Sequence, residues 1–419
     1  MKRQFEKMAI PLSRYNPWIL FFAQHIWGSA YHNWMRKQYG PLDDVSASEI
    51  DALHDQIKSH SAEEFTDVLG NKILERYGRL IEIYERYLTA VSRPNDEEHL
   101  TVKKINSTSL LDYGMKYPIQ DEKAAVIFVP SLINKSYVFD IPENNSILSF
   151  LSNNKIHPFV VSWGNLNGDD PDLTLQNIVE DRLVPLIQSI KDADPNRPVY
   201  VLGYCMGGIL TLGAYAATKK IVDGLLLISV PWDFSSPQKK SFYTKILKSV
   251  EAQLEYFSFV PGDFIKLLFS LANPVVVLKK FHKLASLSRD EQEHFIQLED
   301  WVNDSVDLPK KIAMQCFKNW FVDNDLAVKG KLGGLSINPF KIESSSFIVI
   351  PSHDKIVDVD SASPLSNAIQ NKTLITPNLG HVGVITARKA KDMVWDPMLQ
   401  WIQNQSHKYY KEKKKCRKD

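Results

Sequence analysis

The residues that specify chemistry most narrowly are Gly203-Tyr204-Cys205-Met206-Gly207-Gly208, which follow the apolar run Val199-Tyr-Val-Leu202 and precede a stretch of helical length. The spacing Gly-x-Cys-x-Gly puts a thiol on a sharp strand-to-helix corner, where neighbours without side chains let the backbone pass close to the following helix. The Met206 amide then opens a helix, so its N–H and the positive dipole end can stabilise an oxyanion and favour a thiolate. A small apolar Cys beneath a sheet is the plain alternative for such a residue.

A thiol nucleophile needs a base, and the base needs an orienting acid. In the α/β-hydrolase order these follow the nucleophile as acid and then His. Phe347-Ile-Val-Ile-Pro-Ser-His353-Asp354-Lys355 places Asp354 in the loop after one expected strand, and Thr373-Leu-Ile-Thr-Pro-Asn-Leu-Gly380-His381 places His381 after the next. Singly, Asp354 reads as a turn cap, as Asp358 and Asp360 also do, and His381 as one of eleven histidines. Together with Cys205 they occur in the required order at the carboxyl ends of strands, where open α/β sheets collect their ligands. His353, beside the acid, is expected to support rather than replace His381. The second oxyanion donor is expected from the loop Pro130-Ser131-Leu132-Ile133-Asn134, with the Leu132 amide as the candidate.

The elements that must position these groups follow from pattern. Unbroken apolar runs at 124–129, 158–162, 199–202, 224–229, 346–350 and 372–375 read as buried parallel strands, with helices over 173–190 and 206–218 between them. This predicts an α/β class chain with the α/β-hydrolase fold in two parts, 113–232 and 341–405. The interval 233–340 is too long for a loop and is read as a largely helical cap insertion, aromatic in its first half. Residues 1–112 read as a helical N-terminal region, in which the aromatic stretch 17–31 packs on a core and Ile73, Leu74, Tyr77, Leu80, Ile81, Tyr84 and Leu88 recur at helical spacing. The stretch 92–99 reads as a connection, and 406–419 as a basic, solvated tail.

With 50 basic and 49 acidic side chains the chain carries a formal charge of +1, so nothing global points to nucleic acid. Three widely spaced cysteines, Cys205, Cys316 and Cys416, without any CxxC, argue against a disulfide framework and a cysteine zinc site. No metal and no organic cofactor is expected. The basic start lacks a secretory apolar core and no apolar window approaches the ~20 residues of a membrane span, so a reducing, cytoplasmic location is expected.

In these segments the chain resembles the polyhydroxyalkanoate synthases, which polymerise 3-hydroxyacyl-coenzyme A into polyester. The resemblance covers roughly residues 105–400. It rests on Gly203-Tyr-Cys205-Met-Gly-Gly, Pro130-Ser-Leu-Ile-Asn-Lys-Ser-Tyr-Val-Phe-Asp140, Val161-Ser-Trp163-Gly, Pro231-Trp-Asp-Phe, Asp354-Lys-Ile-Val and Gly380-His381. Gln297-Leu-Glu-Asp-Trp-Val-Asn-Asp-Ser305 is similar to the shorter class III and class IV catalytic subunits. The resemblance implies Cys205 as nucleophile, Asp354 as acid and His381 as base. It also implies coenzyme A thioesters as substrates, a growing polyester chain or granule surface as partner, a homodimer, and a possible helical partner subunit. The same residues leave open a thioesterase or polyester hydrolase, or a catalytically silent granule-associated homologue in which Lys355 replaces the family's usual His.

Overall fold

In the computed structural model, residues 100–114, 116, 123–141, 146–218, 221–237, 240–241, 243–245, 247–248, 256–266 and 287–416 are described, with positions 51, 52, 55, 56 and 64. The expected N-terminal helical segments 17–31 and 73–88 lie outside these residues. Contacts divide the chain into two units, Met1–Arg93 with Leu267–Ile296, and Pro94–Lys266 with Gln297–Asp419. Apart from residues 289–296 of one helix, the second unit carries everything described below.

Its sheet has eight strands: β1 (Leu100–Ile105), β2 (Thr108–Asp112), β3 (Ala124–Val129), β4 (Ile156–Ser162), β5 (Val199–Tyr204), β6 (Gly224–Ile228), β7 (Ser346–Val349) and β8 (Lys372–Ile375). Their spatial order is β1-β2-β4-β3-β5-β6-β7-β8. β1 and β2 are antiparallel to their neighbours and the other six strands run parallel. An antiparallel hairpin at one edge of a parallel sheet, with one reversal of strand order at β3, is the α/β-hydrolase fold expected from the sequence. β3, β5 and β6 are buried along their whole length, which is why they read as continuous apolar runs rather than as alternation.

The principal helices are α1 (Ile147–Asn153), α2 (Val184–Ala193), α3 (Met206–Thr218), α4 (Arg289–Asn303), α5 (Val359–Ala368) and α6 (Asp396–Cys416). Val126, Phe128, Tyr200, Leu202, Leu226 and Phe347 form one core with residues of α1 and α6, while α3 packs on β3 and β5. The described residues between 233 and 340 form helices with short antiparallel pairs, Phe259–Val260 with Leu308–Pro309 and Lys331–Leu332 with Leu335–Ser336. The expected aromatic character organises them, since Phe234, Tyr243, Trp320 and Phe321 pack ring to ring with centroids 4.5–6.3 Å apart.

Two boundaries differ from the sequence reading. Residues 100–112, assigned there to the helical region, form the β1–β2 hairpin; the exposed edge strand Leu-Thr-Val-Lys-Lys-Ile needs no apolar run, so it lacked the mark used to find buried strands. The basic stretch from 406 is not a loose tail as far as Cys416, because it continues α6. Tyr409 Oη and Lys413 Nζ donate to the Pro195 carbonyl at 3.2 and 2.7 Å, and Tyr410 Oη donates to that of Lys123 at 2.9 Å.

Candidate active site

All parallel strands end on the same side of the sheet, and the loops leaving β3, β5, β7 and β8 carry the residues singled out in the sequence. Cys205 is the first residue beyond β5 and has φ 54°, a left-handed conformation that costs a non-glycine residue about 1–3 kcal/mol. Its amide donates to the Ile228 carbonyl at 2.9 Å and its carbonyl accepts from the Gly208 amide at 2.9 Å, which fixes the corner from both sides.

The flanking glycines are required by close approach. A Cβ on Gly203 would lie 2.4 Å from Gly208 Cα, and one on Gly207 would lie 2.0 Å from the Val129 carbonyl oxygen. β5, α3 and the end of β3 therefore meet at distances that no side chain fits. The same approach brings the loop after β3 to the start of α3, where Ser131 Oγ lies 3.9 Å from Met206 Sδ.

Asp354 follows β7 with its side chain fully buried. Its Oδ1 accepts from the Ile356 and Val357 amides, both at 2.8 Å, and its Oδ2 accepts from His381 Nδ1 at 2.6 Å. One oxygen thus caps the turn and the other meets the imidazole of His381. With Nδ1 committed to the carboxylate, the other ring nitrogen is left for Cys205, whose side chain is close enough to raise the His381 pKa. Tyr204 Oη donates to the His381 carbonyl at 3.1 Å and its ring lies 5.2 Å from the imidazole.

Burial by itself would lower the His381 pKa. The charge of Cys205, the hydrogen bonds to Asp354 and Cys205 and the Asp354 charge outweigh it and push the value from 6.5 up to about 10. The favoured state of His381 near neutral pH is therefore the imidazolium. Burial, with the Cys205 and Asp354 charges beside it, pushes the Tyr204 phenol well above its ordinary value, so it stays a neutral donor.

The Leu132 residue is buried in the loop after β3, and no hydrogen bond among the described residues uses the amides of Leu132 or Met206. His353 is exposed and its Nδ1 lies 3.1 Å from Ser352 Oγ; among the described residues it makes no hydrogen bond with Asp354. Lys355 is exposed as well. Cys316 is a buried free thiol whose pKa is raised by burial, a core residue. The sequence reading missed Tyr204, although its place beside Cys205 marked it, and Trp301, whose part in the loop after β3 is described below. No helix of the described residues is long and apolar enough to cross a membrane.

No protein-family profile matches the chain. It is similar to the poly(3-hydroxyalkanoate) polymerase subunit PhaC of Haloferax mediterranei, 23% identical over 314 residues that cover 73% of this chain and 63% of that protein. It is 22% identical over 303 residues to the subunit PhaC of Thiocystis violacea, covering 71% of this chain and 85% of the relative. The chain thus spans less than two thirds of the haloarchaeal relative's length. Among solved structures, a non-heme bromoperoxidase, BpoC, of Mycobacterium tuberculosis aligns with 74% of this chain and 99% of its own at 12% identity and a TM-score of 0.45. The resemblance to polyhydroxyalkanoate synthases read from the motifs is borne out by the polymerase subunits.

Proposed function

We propose that this chain is an acyltransferase that polymerises (R)-3-hydroxyacyl-coenzyme A into polyhydroxyalkanoate through a covalent acyl-Cys205 thioester. The observation that carries the reading is Cys205 held at positive φ beside His381, whose Nδ1 is bonded to the buried Asp354, in a chain similar to PhaC subunits. The Cys205 sulfur attacks the thioester carbonyl, the oxyanion is met by the Met206 and Leu132 amides, and the carbonyl reforms as coenzyme A leaves. The proton held on His381 goes to the departing thiolate. One thioester replaces another, so the acyl group stays activated.

Acylation also changes the base. Once Cys205 carries an acyl group, the influence of its charge and of its hydrogen bond on His381 is lost, while burial still works to lower the His381 pKa and Asp354 still works to raise it. Neutral His381 can accept the proton of a 3-hydroxyl as that oxygen attacks acyl-Cys205; the new ester forms, and the proton passes to the released Cys205 sulfur. His381 thus acts as acid in the first step and base in the second because the charge beside it differs. Polymer rather than free acid requires that water be kept out, a task this reading assigns to the aromatic insertion. The reading needs no metal or organic cofactor, since coenzyme A enters within the substrate. It extends to a homodimer, a helical partner subunit and attachment to the polyester granule surface from the cytoplasm.

The test is coenzyme A release from 3-hydroxybutyryl-coenzyme A by wild type and Cys205→Ala, with soluble acid and insoluble polyester separated. Cys205-dependent release with polymer is expected. Release with free acid would make the chain a thioesterase or polyester hydrolase, and no release with any acyl length or partner subunit would make it a silent homologue.

A further inference from the structure

The loop that carries Leu132 is held at both ends by different parts of the second unit. At its start, Trp163 Nε1 donates to the Pro130 carbonyl at 3.2 Å, and Gly207 packs against the Val129 and Pro130 carbonyls. Both contacts belong to the sheet and its helices. At its end the partners come from the insertion, roughly 170 residues away in the chain.

The C-terminal turn of α4 and the strand-like stretch after it supply the attachments. Trp301 Nε1 donates to the Lys135 carbonyl at 2.7 Å. Asn134 Nδ2 donates to the Trp301 and Val302 carbonyls in the last turn of the helix, each at 3.3 Å; the Trp301 carbonyl also accepts from the Asp304 amide at 3.1 Å. The Val306 amide donates to the Ile133 carbonyl at 2.9 Å, and Asn134 pairs with Ser305 as an antiparallel bridge. Asp304 Oδ2 lies 3.2 Å from Lys135 Nζ and accepts from Tyr137 Oη at 3.4 Å. Beyond these, Asp307 accepts from the Gly262 amide and from Asn167 Nδ2, so the same strap is anchored at 2.9 and 3.1 Å on its far side.

The Leu132 amide sits between the two anchored ends. A donor aimed at an oxyanion loses its effect when displaced by a fraction of a bond length, because the charge to be met occupies one place only in the transition state. Resting on the acyl-transfer reading above, we propose that Trp301 and Asn134 are positioning residues. They fix the loop 130–135 from the insertion, and the oxyanion donor of Leu132 is in place only when the 301–306 strap is docked. The insertion then does more than exclude water, because the site's second donor depends on it.

The experiment compares wild type with Trp301→Phe, which keeps a ring and loses the N–H, and with Asn134→Leu. Trp395→Phe is the control, an equally buried indole whose N–H has no partner among the described residues. Three readouts are taken: acylation by an acyl-coenzyme A thioester, alkylation of Cys205 by iodoacetamide, and hydrogen exchange of the amides of 131–140. Alkylation displaces iodide at a saturated carbon and forms no oxyanion, so it reports the thiolate alone.

Trp301→Phe and Asn134→Leu are expected to slow acylation at saturating thioester by about 10- to 100-fold with KM little changed. They are also expected to leave alkylation at the wild-type rate and to speed exchange in 131–140, with Trp395→Phe moving none of the three. Acylation by Trp301→Phe equal to that of Trp395→Phe, a parallel loss of alkylation, or unchanged exchange would each overturn the inference. A wild type that is alkylated yet never acylated would instead overturn the acyl-transfer reading on which it rests.

Discussion

Two Asp–His pairs in this unit have the same length and opposite settings. Asp354–His381 and Asp112–His157 are each 2.6 Å. The first joins the loops that leave β7 and β8 and has Cys205 beside the free side of the imidazole. The second joins the end of β2 to the start of β4, away from the carboxyl ends that carry the site. There, His157 is stacked on Phe159 with centroids 4.1 Å apart, and Arg197 Nη1 lies 3.5 Å from Nδ1. Because Arg can only donate, Nδ1 accepts and Nε2 carries the proton toward Asp112. In the site pair the roles of the ring nitrogens are reversed.

The comparison teaches that a short Asp–His contact is not itself a sign of catalysis. What separates the two is the group at the imidazole's other nitrogen, a thiol on a strained corner in one case and a guanidinium in the other. The sheet-edge pair is an anchor: the Gly114 amide also donates to Asp112 at 2.7 Å, and although burial works to raise the Asp112 pKa, its contacts with His157, Gly114 and Arg197 hold it below the ordinary value.

Removing the thiol breaks the comparison most completely. Cys205→Ala is expected to lower coenzyme A release by roughly 10³-fold or more while the protein stays folded, as circular dichroism and thermal unfolding would check. Next comes the acid of each pair. Asp354→Asn should cost about 10³–10⁴-fold in turnover, because an amide cannot hold the imidazole in the same tautomer. Asp112→Asn should leave turnover per folded molecule unchanged and lower stability by about 1–3 kcal/mol in urea titration, the cost of a disrupted, largely buried pair.

The two pairs also respond to opposite ends of the pH scale. The His381 pKa is raised on folding, so its contribution to stability is complete below 6.5 and is lost as pH rises through about 10. The Asp112 pKa is lowered, so its contribution is complete above 3.8 and is lost as pH falls through the folded value. Urea midpoints measured from pH 7 to 10.5 should fall more for wild type than for His381→Gln. Cys205→Ala, which lacks the charge that raises His381, should also flatten the alkaline limb. The smallest effect is expected at His353, exposed and bonded to its neighbour Ser352, where alanine should change turnover by less than about threefold in the release assay.

The elements that were legible share one property: their signal is local. Cys205 between its glycines and Asp354 after an apolar run could be placed at strand ends because parallel strands buried on both faces are continuous in sequence; β8, before His381, was read as buried too, but it is the sheet's other edge and is partly exposed, with Leu374 42% exposed. The β1–β2 hairpin was hidden by its exposure, with Lys103 and Lys104 on an edge strand that needs no apolar pattern. Tyr409, Tyr410 and Lys413, which dock α6 on the turn around Pro195 and on Lys123, read as part of a charge run because their partners lie more than 200 residues away. The same limit hid the joining of Trp301 to Lys135. Neither residue carries a pattern that names the other, and the contact exists only once the insertion has folded back on the loop after β3.

The most direct test of the central claim is intact mass and peptide mapping after mixing the protein with an acyl-coenzyme A that lacks the 3-hydroxyl, so that an acyl-enzyme has no second substrate. One acyl group on the peptide containing Cys205, absent from Cys205→Ala and removed by hydroxylamine, is the predicted result. Coenzyme A release with Cys205 unmodified at every time point, or an acyl group on another residue, would contradict it.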